Sequence, residues 1–209
     1  MIRCLVIGDS HIPRRATEIP PKVIQKITDL SASEKFDYTF FTGDEINAPK
    51  FMKLLNDITK KDVFKVIGNM DYYGGNRDAP VHEKFEINLK EGDILRIGLT
   101  HGAQISPRGD HDQLESLAAE KEYSILISGH THHEEVFLSR KGTLLLNPGS
   151  ATGAWSFVAS GIPSFLILVI DDQTQDISVC LYRLKKTHNQ LEESTYYFLF
   201  KNHQIQQKQ

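Results

Sequence analysis

Five polar clusters recur along the chain, each at the end of an apolar run: Asp9-Ser10-His11, Gly43-Asp44, Gly68-Asn69-Met70-Asp71, His101-Gly102 and Gly129-His130-Thr131-His132. Carboxylate oxygens mixed with imidazole nitrogens make a donor set suited to Mn, Fe, Zn or Ni. Two such ions, roughly 3.5 to 4 Å apart, need one carboxylate that bridges them, and Asp44 is the candidate. An isolated Asp-x-His has an ordinary explanation as a turn or cap. In Gly-His-Thr-His, two histidines one residue apart on an extended strand end would point the same way, the bland alternative being a polar loop with solvated imidazoles. All five clusters in strand-end positions make the ordinary explanations hard to sustain together.

The elements that must carry these clusters can be read from the apolar pattern. Ile2 to Ile7 is a continuous apolar run, the form of a strand buried on both faces. Pro20-Pro21 then opens an amphipathic helix over Lys22 to Leu30, marked by Val23, Ile24, Ile27 and Leu30. The unit repeats with a strand at Tyr38 to Phe41, a helix marked by Phe51 to Ile58, and a strand at Val63 to Ile67. In open α/β sheets ligands collect at the carboxyl ends of strands, where Asp9, Asp44 and Asn69 stand.

Strands follow at Phe85 to Leu89 and Ile94 to Leu99, then a helix capped by Asp110 or Asp112, then a strand at Ile125 to Ile127. From Glu135 the chain is β-rich, with strands at Glu135 to Leu138, Thr143 to Leu146, Ser164 to Ile170, Ile177 to Leu184 and Tyr196 to Phe200. A two-sheet sandwich flanked by helices, α/β in class, fits this order. One domain is expected over residues 1–200, with a polar, Gln-rich and frayed tail over 201–209.

Composition excludes several classes. The 24 basic and 27 acidic residues give a formal net charge of −3 without a run of like charge, so nucleic acid is not expected as a structural partner. The apolar stretches at Met1 to Ile7 and Phe165 to Ile170 are too short for a signal peptide core or a membrane span. A cytoplasmic protein without a transmembrane segment is expected. Cys4 and Cys180 lack metal-type spacing and read as buried apolar residues with no disulfide between them.

In this order the clusters resemble the calcineurin-like metallophosphoesterases, over Ile2 to about Leu184. Within that superfamily, the stretches Gly8 to Pro13, Gly129 to His132 and Asn147 to Ala154 are most similar to the vacuolar protein sorting-associated protein 29 branch, the small retromer subunit, and to its archaeal and bacterial phosphodiesterase relatives. The resemblance implies a four-layer α-β-β-α sandwich. It implies two divalent metal ions, one held by Asp9, His11, Asp44 and His132, the second by Asp44, Asn69, His101 and His130. Asp44, Asn69 and His101 are implied for catalysis as well as ligation. The implied activity is hydrolysis of a small-molecule phosphodiester by a hydroxide that the metal pair activates.

Departures from the pattern matter too. Eukaryotic retromer subunits generally have Asn in place of Asp44 and an acidic residue in place of Asn69, so the enzyme-type ligand set is intact here. Met70 stands where the phosphatase branch has His, and Ala103 where many diesterases have a second His, which implies weak monoester hydrolysis and one phosphate contact fewer. The alternative role implied by the resemblance is a scaffold in membrane protein sorting, held peripherally at membranes by an α-solenoid partner docked near Ile105. An apolar patch for regulators would involve Leu166, Leu168, Leu181 and Tyr182, although such residues in strands are usually core.

Several residues have two readings. Asp71 either orients a metal-bound water or donates a proton, or else caps the turn at Tyr72. Ser150 or Thr152 either hydrogen-bonds a ligand or belongs to a loop packed below the metal site. His133 is expected to be exposed, and His82, His111, His188 and His203 to be solvated.

Overall fold

The computed structural model describes residues 1–90, 92–185 and 190–208. Its large sheet has seven strands in the order β12-β11-β10-β9-β1-β2-β3. These are β1 (Ile2–Ile7), β2 (Phe36–Phe41), β3 (Thr59–Lys65), β9 (Ser164–Ile170), β10 (Asp176–Lys185), β11 (Gln190–Lys201) and β12 (Gln204–Gln207). The second sheet has five, in the order β4-β5-β6-β8-β7: β4 (His82–Asn88), β5 (Ile94–Thr100), β6 (Ile125–Ile127), β7 (Glu134–Leu138) and β8 (Leu144–Pro148). Helices are α1 (Pro21–Ala32), α2 (Pro49–Asp57), the single turn α3 (Asn69–Tyr73) and α4 (His111–Glu120).

Side-chain alternation along the strands builds the layers. Cys4 and Val6 of β1 face the space between the sheets, where they meet Leu95, Ile97 and Ile127 of the second sheet. Leu5 and Ile7 face the other way, against Val23 and Ile27 of α1 and Phe51 and Leu55 of α2. On the far side, Leu126 and Leu145 meet Leu114 and Ala118 of α4. The result is an α-β-β-α sandwich, the two-sheet arrangement flanked by helices that the order of elements suggested and the four layers that the resemblance implied.

Three expectations are corrected. The tail does not fray: Gln204–Gln207 pairs antiparallel with β11, and Ile205 is buried in the inter-sheet core, worth about 1.5–3 kcal/mol. Leu166, Leu168 and Leu181 lie in that same core, and Tyr182 is buried against Phe165 with ring centroids 4.8 Å apart, so these four form no exposed patch. Ile105 is 6% exposed and packs with Leu114, Tyr123 and Leu126, so its side chain is not an accessible anchor for a partner.

Cys4 and Cys180 are free thiols. No helix among the described residues is long and apolar enough to cross a membrane.

Candidate metal centre

β1 and β2 run parallel, as do β2 and β3 in one sheet and β5 and β6 in the other. Their carboxyl ends therefore open in shared directions and bring the chemistry-bearing loops together. All seven sequence-predicted positions, Asp9, His11, Asp44, Asn69, His101, His130 and His132, gather there. Asp9, His11, Asp44 and His132 are buried and offer ligand atoms within 4.8 Å of one another. His11 Nε2 lies 2.9 Å from His132 Nε2 and 3.2 Å from Asp44 Oδ2, while His132 Nε2 lies 3.2 Å from Asp9 Oδ1.

The remaining three residues form a second group across Asp44. His101 Nε2 is 3.5 Å from Asp44 Oδ2, 3.1 Å from Asn69 Oδ1 and 3.2 Å from His130 Nδ1. Asp44 Oδ2 thus stands between His11 on one side and His101 on the other. Asp44 Oδ1 is committed elsewhere, accepting the Met70 N–H at 2.8 Å.

The donor set fits a cation. His101 Nδ1 faces the Thr42 carbonyl at 2.8 Å and His132 Nδ1 faces the Ala154 carbonyl at 2.9 Å. A carbonyl only accepts, so each Nδ1 carries a proton and each ring turns its Nε2 into the cluster. Lone pairs and carboxylate oxygens at these separations repel unless a positive charge lies among them.

A proton partly meets that need. Burial alone would raise the Asp9 carboxyl, but His132, with His101 and His11, pulls it down to about 2. His132 is raised in return: burial opposes its charge, and the Asp9 carboxylate outweighs burial. Burial drives His11 down to about 3 and His130 down to about 4, the latter helped by His101 and Arg108. Both stay neutral, as ligands must.

The local backbone is unusual where the ligands sit. Asp9, His11, Asp44, His130 and His132 have φ of 50°, 49°, 54°, 68° and 58°. This left-handed region costs a non-glycine residue about 1–3 kcal/mol and concentrates at functional sites. His130 and His132 therefore do not converge by strand alternation, as the sequence suggested. Each is turned inward by its own left-handed residue, His130 toward His101 and His132 toward His11. Preceding glycines supply clearance: a Cβ on Gly129 would stand 2.4 Å from Asp9 Oδ2.

Other residues hold the ligands in place. Thr42 Oγ1 donates to Asp9 Oδ2 at 3.1 Å, a contact that no sequence signal marked. Asn147 donates to the Gly129 carbonyl and to Thr131 Oγ1, bracing the Gly-His-Thr-His turn. Ser150 donates to the Asp9 carbonyl and Thr152 to the Ser10 carbonyl, so both hydroxyls secure the Asp9 turn instead of facing a ligand. Asp71 is buried, and its two oxygens accept the amides of Asp44, Ile46 and Gly68. It caps and cross-links loops and has no side-chain oxygen left uncommitted.

The other histidines stand apart. His133 is exposed and so is His203, whereas His111 stacks on Phe137 at 3.9 Å and bonds Glu135. His82 is half-buried in β4, its Nδ1 without a partner among the described residues, and His188 lies outside those residues.

Comparison with known proteins places the chain in a family. The model of the calcineurin-like phosphoesterase superfamily domain matches residues 2–173. A probable metallophosphoesterase of Methanothermobacter thermautotrophicus is 34% identical over 174 residues, covering 83% of this chain and 89% of the relative. The structure of vacuolar protein sorting 29 from Cryptosporidium parvum superposes with a TM-score of 0.79 at 28% identity, covering 95% of this chain and 98% of that one. Wild-type Vps29 of Entamoeba histolytica, solved in complex with zinc, gives 0.76 at 27% identity over 94% and 99%.

Proposed function

The chain belongs to the calcineurin-like phosphoesterase superfamily, and from that premise we propose that it is a metal-dependent phosphodiesterase with Asp44 as the bridging ligand. The observation that carries this is the position of Asp44 Oδ2, 3.2 Å from His11 Nε2 and 3.5 Å from His101 Nε2. One oxygen shared by two groups of nitrogen and oxygen donors is what a paired site requires. The family uses divalent metals, and the zinc complex of the Entamoeba relative supports Zn beside Mn, Fe and Ni as occupants.

In this reading Asp9, His11, Asp44 and His132 hold one ion and Asp44, Asn69, His101 and His130 the other. The pair would supply Lewis acidity, making water nucleophilic near neutral pH and neutralising phosphate charge. The protein's own residues do the rest. Ala154 and Thr42 carbonyls keep His132 and His101 in the tautomer that presents Nε2. Asp71 fixes the Asp44 loop. Met70 has no titratable side-chain proton to offer a leaving group, which favours diesters over monoesters. Comparing metal-dependent turnover of bis(p-nitrophenyl) phosphate with that of p-nitrophenyl phosphate tests this, the expected order being diester well above monoester.

Likeness to Vps29 over nearly the full length of those chains supports a second reading, a cytoplasmic subunit of a sorting assembly. It is compatible with the first, because partner binding and catalysis can use different faces. Its anchor must be sought elsewhere than the buried Ile105 side chain.

A further inference from the structure

Exposed aromatic residues occur at Tyr72 and Tyr73, at Tyr197, and at Trp155 and Phe157, and the last pair adjoins the segment that orients His132. Trp155 and Phe157 are 62% and 79% exposed, and they flank Ser156, which is buried with its hydroxyl donating to the Thr131 carbonyl. Because Ser156 points inward, its neighbours are turned out. Their rings meet edge to face with centroids 5.0 Å apart. The pair is tied to the metal centre by its backbone, since the residue before Trp155 is Ala154, whose carbonyl orients His132.

Arginines hold both rings. Arg15 Cζ lies 5.8 Å from the Trp155 ring centroid, and its guanidinium donates to the Trp155 carbonyl. Its own amide bonds the His11 carbonyl. Arg108 Cζ lies 5.5 Å from the Phe157 ring, and its guanidinium donates to the His130 carbonyl at 3.4 Å. Each ring therefore has its own arginine, and each arginine is anchored to a segment that carries a candidate ligand. Rings needed only to pin the loop would be covered; these are left to solvent, which is unfavourable for large apolar groups unless something stacks on them.

Resting on the phosphodiesterase reading, we propose that Trp155 and Phe157, held by Arg15 and Arg108, form a base-stacking subsite, and that the substrate class is a nucleotide diester. Aromatic side chains accept any base because every base offers a π face, and arginines beside them add cation–π attraction and charge for phosphate. Prior fixing of the rings lowers the ordering cost of binding. The metal centre takes the phosphodiester and the ring pair takes the base. A small diester without an aromatic group would use only the former.

Trp155 is the single tryptophan of the chain, so its fluorescence reports on this subsite without any turnover. The protein, metal-free and then loaded with Zn(II), is titrated with the dinucleotide thymidylyl-(3′→5′)-thymidine or with dimethyl phosphate, exciting at the red edge of indole absorption. Saturable quenching by the dinucleotide alone is expected, weakened in Arg108→Gln. Kinetically, the double variant Trp155→Leu, Phe157→Leu keeps apolar bulk but loses the rings; KM for the dinucleotide should rise about tenfold or more, with unchanged metal content and circular dichroism. Flat fluorescence with unaltered dinucleotide kinetics, while wild-type protein turns over bis(p-nitrophenyl) phosphate, would overturn the subsite and leave the diesterase reading standing. The same flat result is what rings reserved for a protein partner would give. Absence of turnover on every diester, with nucleotide quenching intact, would instead sink the diesterase reading and with it the substrate assignment, leaving the rings as a nucleotide-binding subsite.

Discussion

Asp71 Oδ2 accepts the backbone amide of Asp44 at 2.8 Å, joining a buried carboxylate to the residue at the middle of the metal centre. The same side chain accepts from Ile46 and Gly68, so amides of two different loops converge on it. Asp44 has a left-handed backbone, and these bonds hold it there.

Asp71→Asn replaces one acceptor oxygen with an N–H₂ that faces amide donors. It should destabilise the protein by about 2–3 kcal/mol and weaken metal binding about 10- to 100-fold. Thermal unfolding of metal-free protein and calorimetric titration with Mn check both. An unchanged midpoint and affinity would contradict the role.

Gly68 has a φ of −87°, which any residue can adopt, so its requirement is for space. An added Cβ would stand 1.9 Å from Asp44 Oδ1 and 2.3 Å from the Asp44 nitrogen. Gly68→Ala should therefore displace Asp44 and reduce bound metal from two ions per chain to one or none. Elemental analysis after dialysis tests this, and a full complement in the variant would contradict it.

Metal binding should weaken in acid through Asp44. Its carboxyl is pushed up to about 6 by burial and by the Asp9 and Asp71 carboxylates, against the pull of His101. His11 and His130, at about 3 and about 4, remain neutral there. Binding needs ionised Asp44 and a His132 ring free of its extra proton, so below about 6 each event displaces a proton from both and apparent affinity falls by more than about tenfold per pH unit. In metal-free protein the sign is the reverse. The raised value means the fold favours protonated Asp44, a contribution present below about pH 4 and lost as pH rises through about 6. Calorimetry across this range tests the point, and an affinity independent of pH would contradict it.

The candidate metal centre was legible because its proposed ligands are polar residues abutting apolar runs, a contrast that survives in one dimension. Its supports were not. Thr42 looks like any strand-end threonine, and that its hydroxyl serves Asp9 depends on β1 and β2 lying side by side. Trp155 and Phe157 read as ordinary apolar residues until Ser156 is seen to point inward. In the tail, Ile205 is a lone apolar residue among glutamines, and only the reach of β11 brings it to the core. Ile105 illustrates the opposite error, a position assigned to a surface by resemblance whose side chain is spent on α4.

Ile105→Asp should accordingly fail as a test of partner docking. It places an unpaired carboxylate beside Leu114 and Leu126, with a cost of at least about 3 kcal/mol. Chemical denaturation should show that loss whether or not a partner is present. Wild-type stability in the variant would mean that this loop opens to solvent.

The central claim is that Asp44 joins two metal-binding groups into one catalytic centre. It is tested most directly by Mn-dependent hydrolysis of bis(p-nitrophenyl) phosphate by the wild type beside Asp44→Asn, with bound metal quantified in both. The account predicts turnover with two ions per chain in the wild type, and a loss of about a hundredfold or more with depleted metal in the variant. Metal-loaded wild-type protein that hydrolyses no diester, or a variant as active as the wild type, would contradict it.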